Sequence, residues 1–284
     1  MKNNHIPLFL FLIYLSCTSN PIWNDSSTSG SIISGTVVPE NRNGNVRVCI
    51  WLEDFNIITY TNEQDRFIIN INEGLKDVSG QRKIYFFIHN YLLDSIPVNF
   101  INGRLANNQL SLDENGELVN TIYMKKVLSC IANPNNQINE SLELSSPYIG
   151  FNTIVHQNSS IDIYRFSFGD STLYNSGLMI YNITNNDKVL HRYATIDNNG
   201  NPLQDYSFPL NVEIYDELVW NYLINIDELN LAQGEYLVAP YFQIKHSYLP
   251  IGLINALGGM EIFTFSNEYF NMPMDIVSAN ILID

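Results

Sequence analysis

Histidines are the side chains of this chain best suited to general acid–base chemistry, and there are five: His5, His89, His156, His191 and His246. They are scattered, and the chain contains no Gly-x-Ser-x-Gly, His-Glu-x-x-His or P-loop motif. His89 is the most interesting of them because it ends an apolar run predicted to be a buried strand. A hydrolase would need one histidine joined to a serine or carboxylate, so the pattern favours a protein that is not an enzyme and leaves a hydrolase as the least favoured alternative.

Oxygen-rich loops are the next candidates, because carboxylates and amide oxygens can hold Ca²⁺. Two compact turns have that composition, residues 113–117 (Asp-Glu-Asn-Gly-Glu) and residues 197–200 (Asp-Asn-Asn-Gly). Neither has EF-hand spacing, and Asx with Gly is the expected chemistry of a hairpin turn. We therefore predict hairpin turns, with no metal site and no cofactor.

Aromatic side chains could stack against sugar rings, and Trp51, Trp220 and Tyr222 are the candidates for such a platform. All three lie in predicted strands, where the alternative is that they fill hydrophobic cores. Only an exposed position would make a stacking role possible, so carbohydrate binding is the alternative function.

The N-terminus combines Lys2, an apolar run over residues 6–15 and then Ser16-Cys17. A basic start, a short apolar segment and a small residue before the cleavage point are typical of a secretory signal, and the run is shorter than the roughly 20 residues of a spanning helix. The final residues resemble the lipobox of bacterial lipoproteins. This resemblance implies a signal peptide over residues 1–16 and diacylation of Cys17.

Residues 17–31 are rich in Ser, Thr, Asn and Gly, which predicts a flexible tether after the lipidated cysteine. Thr18 stands where some lipoproteins carry an inner-membrane retention Asp, so the resemblance favours export to the outer membrane of a bacterial cell envelope. The formal net charge is −15. An acidic body argues against nucleic acid, and membrane contact is expected through the lipid alone.

The remaining cysteines are Cys49 and Cys130. An exported chain permits a disulfide between them. However, Cys49 lies in an apolar strand in which a free thiol is an ordinary core residue, so both possibilities stay open.

Residues 32–129 read as short strands rich in β-branched and aromatic residues, separated by turn clusters such as Asn62-Glu63-Gln64-Asp65. We predict strands over residues 32–38, 46–52, 55–61, 67–71, 83–89, 94–100 and 121–127. The run Ser34-Gly35-Thr36-Val37, and later residues 61–67 ending in Asp65-Arg66-Phe67, resemble the carboxypeptidase-regulatory-like, transthyretin-like β-sandwich modules. Asp65 replaces the usual Gly, and Asp tolerates the positive φ expected at that corner. Such modules are mostly non-catalytic.

Residues 130–146 contain Asn133-Pro134-Asn135-Asn136 and predict a linker. Strand patterns resume over residues 147–284. The run from Leu231 through Gly234 to Tyr236 resembles a late strand of immunoglobulin-like sandwiches, a likeness of architecture that carries no function. The predicted fold class is therefore all-β, with two β-sandwich modules after the signal peptide and tether.

The function favoured by these observations is a non-enzymatic, lipid-anchored binding or assembly role at the cell envelope. Sheet edges and loop tips are the usual binding surfaces of a sandwich. The partner would be an envelope protein or, in the alternative, a glycan.

Overall fold

The structure is a computed structural model. It describes residues 32–71, 78–106, 109–134, 148–155, 162–164, 177–185, 188–191, 194–195, 218–225, 230–241, 243–246, 248–263 and 267–283. The predicted signal peptide, the tether and its Cys17 lie outside the described residues.

Two antiparallel-rich sheets form the first part of the chain. Their strands are β1 (Ile32–Pro39), β2 (Cys49–Leu52), β3 (Ile57–Tyr60), β4 (Arg66–Asn70), β5 (Gly80–Phe87), β6 (Asp94–Ile101), β7 (Arg104–Leu105) and β8 (Ile122–Met124). Sheet A has the order β4-β1-β8, and sheet B has the order β3-β2-β5-β6-β7. Each of the seven strands predicted in residues 32–129 overlaps an observed strand, and only the two-residue β7 was not predicted.

One hydrophobic core lies between sheets A and B. Strand β1 alternates, with Ile33 and Val37 fully buried between more exposed neighbours, and β4 buries Phe67 and Ile69 in the same way. The two-residue period of a strand places these side chains on one face. Phe67 of sheet A meets Phe86 of sheet B edge-on, with ring centroids 5.9 Å apart. The alternation read from the sequence therefore reports which side of each strand faces the core.

The corner before β4 adopts the predicted positive-φ backbone. Asp65 has φ 59°, and the Asn62 carboxamide oxygen accepts the backbone N–H groups of Gln64 and Arg66, both at 3.0 Å. The Asp65 carboxylate also accepts a bond from the Arg42 guanidinium at 2.7 Å. Asp65 thus supplies a turn conformation that is costly for most side chains and an ion pair that glycine could not make.

The outer face of sheet B is covered by a segment from the far end of the chain. Helix α1 (Ile251–Leu257) and two short 3₁₀ helices, Gly259–Phe263 and Asn267–Asn271, follow one another there. They form a second core with residues of sheet B and with Met179, comprising Cys49, Trp51, Phe87, Met179, Leu253, Leu257, Ile262, Tyr269 and Met272. All four residues of β2 are buried because both faces of this strand are covered.

The later strands form further sheets. They are β9 (Leu128–Pro134), β10 (Tyr148–Val155), β11 (Asp162–Tyr164), β12 (Gly177–Asn182), β13 (Lys188–His191), β14 (Ala194–Thr195), β15 (Leu218–Asn225), β16 (Gly234–Tyr241), β17 (Gln243–Lys245), β18 (Ile276–Val277) and β19 (Ala279–Ile283). They assemble as β14-β15-β10-β9-β18, β13-β12-β16-β19 and the pair β11-β17.

The predicted linker over residues 130–146 needs correction at its start. Residues 130–134 belong to β9, which pairs with β10 on one side, while Cys130 and Ile131 pair with β18 on the other. The Asn-Pro signal therefore marks the end of a strand. The rest of the predicted linker, residues 135–146, lies outside the described residues.

A local polar contact lies at the start of β16. The Tyr236 hydroxyl donates to the Ala232 carbonyl oxygen at 2.7 Å, which is the kind of upstream bond made by a tyrosine corner. The protein has an all-β, sandwich-type fold, and its described residues include one short α-helix. No helix among the described residues has the length and apolar character needed to cross a bilayer.

Candidate functional site

The predicted stacking residue Trp51 is buried. Only 5% of its surface is exposed, and its ring lies 5.6 Å from that of Tyr85. Gly252 of α1 lies so close to the ring that an added Cβ would be 2.5 Å from Cζ2. Trp51 is therefore a core residue and not an exposed platform. Trp220 and Tyr222 lie in β15, but their side chains are outside the described part of the chain.

The Cys49–Cys130 disulfide is not formed, because Cys49 is a free thiol. Cys49 belongs to the core outside sheet B, whereas Cys130 lies in β9, paired with Thr153 and Ile276. Burial raises the pKa of the Cys49 thiol to about 12, partly offset by a hydrogen bond with Tyr60. A thiol so rarely ionised is a poor nucleophile, so Cys49 fills space in the core.

The acidic turn at residues 113–117 satisfies its own backbone. The Asp113 carboxylate accepts the N–H groups of Asn115 at 2.9 Å and Glu117 at 2.8 Å, and these bonds hold its pKa below the usual value. The chain reverses between Leu112 and Leu118, which form an isolated bridge. This is the predicted hairpin turn, and no three His, Cys, Asp or Glu side chains of the described ranges converge on a metal position. The turn at residues 197–200 lies outside the described residues.

Two of the scattered histidines come together. His246 Nε2 lies 2.8 Å from the His89 carbonyl oxygen and 3.3 Å from His89 Nδ1. The Ile244 N–H donates to His89 Nε2 at 3.2 Å. His89 is fully buried, and Phe87 lies edge-on to both imidazoles. Ring and main-chain contacts thus surround the pair.

The electrostatics of this pair favour the neutral state. Burial lowers the pKa of His246 to about 4, against a smaller opposing effect from its bond to the His89 carbonyl. A neutral His246 donates through Nε2–H to that carbonyl, and His89 accepts at Nε2. The pair therefore connects the end of β5 to the end of β17. His191 has its backbone in β13, and His156 lies outside the described residues.

Sequence reasoning did not identify the buried Asp275 carboxylate, which has several polar partners. Lys126 Nζ lies 2.5 Å from Asp275 Oδ2, and neither side chain is exposed. The Tyr91 hydroxyl donates to the same oxygen at 2.8 Å. The backbone N–H groups of Asn43 and Gly44 donate to the carboxylate at 2.8–3.2 Å. The sequence signal was the place of Lys126 two residues from Met124 and two from Leu128, on the side of the chain that these apolar residues share.

Neighbouring groups fix both partners of this ion pair. Lys126 Nζ also donates to the Asn41 carbonyl oxygen at 2.5 Å. Asn90 binds the Asp275 backbone twice, accepting its N–H and donating to its carbonyl oxygen, both at 2.9 Å. The His89 N–H donates to the Pro273 carbonyl oxygen at 2.7 Å. The C-terminal segment is therefore fastened to the first two sheets by polar contacts as well as by the core around Trp51.

The outer face of sheet A differs from that of sheet B because it carries exposed apolar side chains. Ile32 and Ile68 are diagonal neighbours across β1 and β4, and are 47% and 58% exposed. Tyr123, opposite Val38 in β8, is 60% exposed. Between them the Arg66 guanidinium contacts the Glu117 carboxylate at 2.7 Å. We call these side chains the sheet A face.

Comparison with known proteins leaves the family open. No protein-family model matches the chain, and no curated protein matches it significantly. Twelve chains of solved structures match. One is a candidate carbohydrate-binding protein of Bacteroides uniformis, at TM-score 0.31 and 7% identity over 76% of this chain and 90% of that one. Another is a DUF3823 family protein of Bacteroides ovatus, at 0.27 and 10% over 75% and 91%. A third is a variant of BcpA, the major pilin subunit of Bacillus cereus, at 0.28 and 10% over 76% and 66%. At such scores the likeness does not assign a function.

Proposed function

We propose that the protein is a non-enzymatic lipoprotein of the cell envelope, anchored at the outer membrane through Cys17, that binds an envelope protein through the sheet A face. The observation that carries the proposal is the contrast between two outer faces. Sheet B is covered by α1 and the 3₁₀ helices, whereas Ile32, Ile68 and Tyr123 of sheet A remain about half exposed.

The composition of the sheet A face suits a protein partner. Its apolar side chains flank the exposed Arg66–Glu117 ion pair, and Tyr and Arg are enriched at protein interfaces. The ion pair adds little to stability because it is exposed, so both of its members are free to exchange partners in a complex. Apolar side chains around a charged centre would give both affinity and orientation.

The position of this face suits a tethered binder. Strand β1 starts at Ile32, directly after the predicted tether of residues 17–31. Fifteen extended residues reach roughly 50 Å at about 3.4 Å each. The face would therefore remain within about that distance of the membrane, where other envelope proteins are concentrated.

Carbohydrate binding is the second candidate function, and exposed Tyr123 is the observation that favours it. An accessible aromatic ring on the outer face of sheet A could stack on a sugar. This alternative assigns the stacking role to Tyr123 in place of Trp51. A hydrolase remains the third hypothesis, and the His89–His246 pair is its only candidate site among the described residues.

The experiment places a photo-crosslinking amino acid at position 68 in the producing cell. Position 282 is the matched control, because Leu282 is also exposed, at 71%, on β19. A discrete protein adduct at position 68 that is absent at position 282 is expected, and it should weaken with Tyr123→Ala. Identical patterns at both positions would contradict the proposed face.

Two further measurements separate the other parts of the proposal. A palmitate analogue should label the wild type and not Cys17→Ala, and an unlabelled wild type would refute the anchor. Retention of the purified protein on envelope polysaccharide, abolished by Tyr123→Ala without any protein adduct at position 68, would favour the carbohydrate-binding alternative.

A further inference from the structure

The buried Lys126–Asp275 contact has the geometry of a reaction as well as that of an ion pair. We propose that the Lys126 side-chain amine and the Asp275 side-chain carboxyl condense to an amide, an intramolecular isopeptide bond that forms after folding. The bond would join the residue two positions after β8 to the residue directly before β18.

Proximity is the first argument. Lys126 Nζ lies 2.5 Å from Asp275 Oδ2, and both side chains have no exposed surface. Asn41 and Asn90 fix the two ends, the first by accepting from Nζ and the second by binding the Asp275 backbone. Reacting groups held in this way behave as if at enormous concentration, about 10⁵ M or more in favourable cases. Folding therefore supplies the encounter that free amines and carboxylates lack.

Stabilisation of the intermediate is the second argument. The two carboxylate oxygens share one donor and otherwise have different partners. The Gly44 N–H donates to Oδ1 at 2.8 Å, and the shared Asn43 N–H lies 2.9 Å from Oδ2 and 3.2 Å from Oδ1. Main-chain donors at Oδ1 would stabilise a tetrahedral oxyanion there. Oδ2 also faces Lys126 and the Tyr91 hydroxyl, the latter at 2.8 Å, and both can supply it with protons, so it is the oxygen placed to leave.

The step balances without another reagent. A proton passes from the Lys126 ammonium to Oδ2, and the resulting amine attacks Cγ, forming the N–C bond and placing the negative charge on Oδ1. A second proton passes from nitrogen directly to Oδ2, its neighbour at 2.5 Å, while the Tyr91 hydroxyl donates a hydrogen bond to the same oxygen. The Cγ–Oδ2 bond then breaks and water departs. The ammonium and carboxylate have become one amide and one water molecule, with no change in oxidation state.

Burial favours the direction of this change. Two charges without exposure to water carry a large desolvation penalty, and a neutral amide removes both. Burial also lowers the pKa of Lys126, opposed by its contact with Asp275, and so makes the reactive neutral amine more accessible. The product would retain an N–H for Asn41 and a carbonyl oxygen for the N–H groups of Asn43 and Gly44.

The test is peptide mapping of the wild-type full-length chain purified from producing cells. Trypsin should not cleave after an acylated Lys126, so the proposal predicts a branched species of residues 126–165 joined to residues 246–284. Its mass should be about 18 Da below the sum of the two peptides, the mass of one water lost in the modification. Fragmentation should locate the link at Lys126 and Asp275.

Three variants act as controls. Lys126→Arg keeps the charge but cannot form this amide, and Asp275→Ala removes the carboxyl, so both should lack the branched species. Lys125→Arg changes the exposed neighbour and should retain it. The wild type alone decides the proposal if a variant fails to fold: separate peptides, with cleavage after Lys126, would show an ordinary ion pair and overturn the inference.

Discussion

Gly252→Ala tests how tightly the C-terminal segment is seated on sheet B. The added methyl group would lie 2.5 Å from Cζ2 and 2.8 Å from Cη2 of Trp51, whereas carbon atoms in contact normally stand about 3.5–4 Å apart. An overlap near 1 Å must be relieved by moving a ring that is only 5% exposed. Such overpacking costs about 1–3 kcal/mol.

A gain in helix propensity opposes this cost. Alanine is better than glycine in a helix by up to about 1 kcal/mol, and Gly252 is the second residue of α1. The net expectation is that Gly252→Ala lowers the free energy of unfolding by roughly 0.5–2 kcal/mol. Asn255→Ala on the exposed side of the same helix is the matched control, and it should be neutral or slightly stabilising.

Urea unfolding followed by circular dichroism measures both variants, and the background Trp51→Leu sharpens the result. Trp51→Leu alone should destabilise by creating a cavity, but it also removes the ring atoms that the new methyl group would meet. Gly252→Ala should therefore change sign and become stabilising in that background. If Gly252→Ala equals or exceeds the wild type in stability while Trp51 is present, α1 does not rest on Trp51 as described.

Three other predictions concern the buried side chains of Lys126, His246 and Cys49. Lys126→Met should lower the free energy of unfolding by about 3–5 kcal/mol, because the Asp275 carboxylate stays buried without its cation. Lys125→Met is the control and should change the free energy of unfolding by no more than about 0.5 kcal/mol. Equal urea midpoints for the two variants would contradict this prediction. The buried His246 should make the free energy of unfolding fall as pH drops from about 6.5 towards 4, by no more than about 3 kcal/mol. Over that range the imidazole is protonated in the unfolded chain and stays neutral in the folded chain. His246→Phe should flatten that part of the pH profile, and a profile unchanged by the substitution would show that another group is responsible. Iodoacetamide should modify Cys49 only after unfolding, because its buried thiol has a pKa of about 12; rapid labelling of the native protein, read by mass spectrometry, would refute the burial of Cys49.

Local patterns carried most of the information about the first two sheets. The alternation in β1 and β4 reports a two-residue period that any strand must obey, and Asn62 and Asp65 encode their turn within five residues. These features depend on neighbours in sequence, so they are readable without knowing the rest of the fold. The all-β class follows for the same reason.

Long-range packing settled the residues that the sequence left ambiguous. The run Cys49-Ile50-Trp51-Leu52 is apolar on both faces. This pattern indicates that both faces of the strand are covered, but it does not show which segment covers each of them. The cover, α1 with Gly252, comes from the opposite end of the chain, and it turns Trp51 from a possible stacking residue into a core residue.

The polar contacts depend on tertiary structure in the same way. His89 meets His246, and Lys126 meets Asp275, across long intervals of sequence. The free energy of a buried charge or ring nitrogen depends on the atoms around it, and those atoms are assembled only by the fold. Composition and periodicity therefore determined the places of the strands and turns and the prediction of an export signal. The tertiary structure decided that the Cys49 thiol stays free, that Trp51 is buried, and that Lys126 is the lysine that faces a carboxylate.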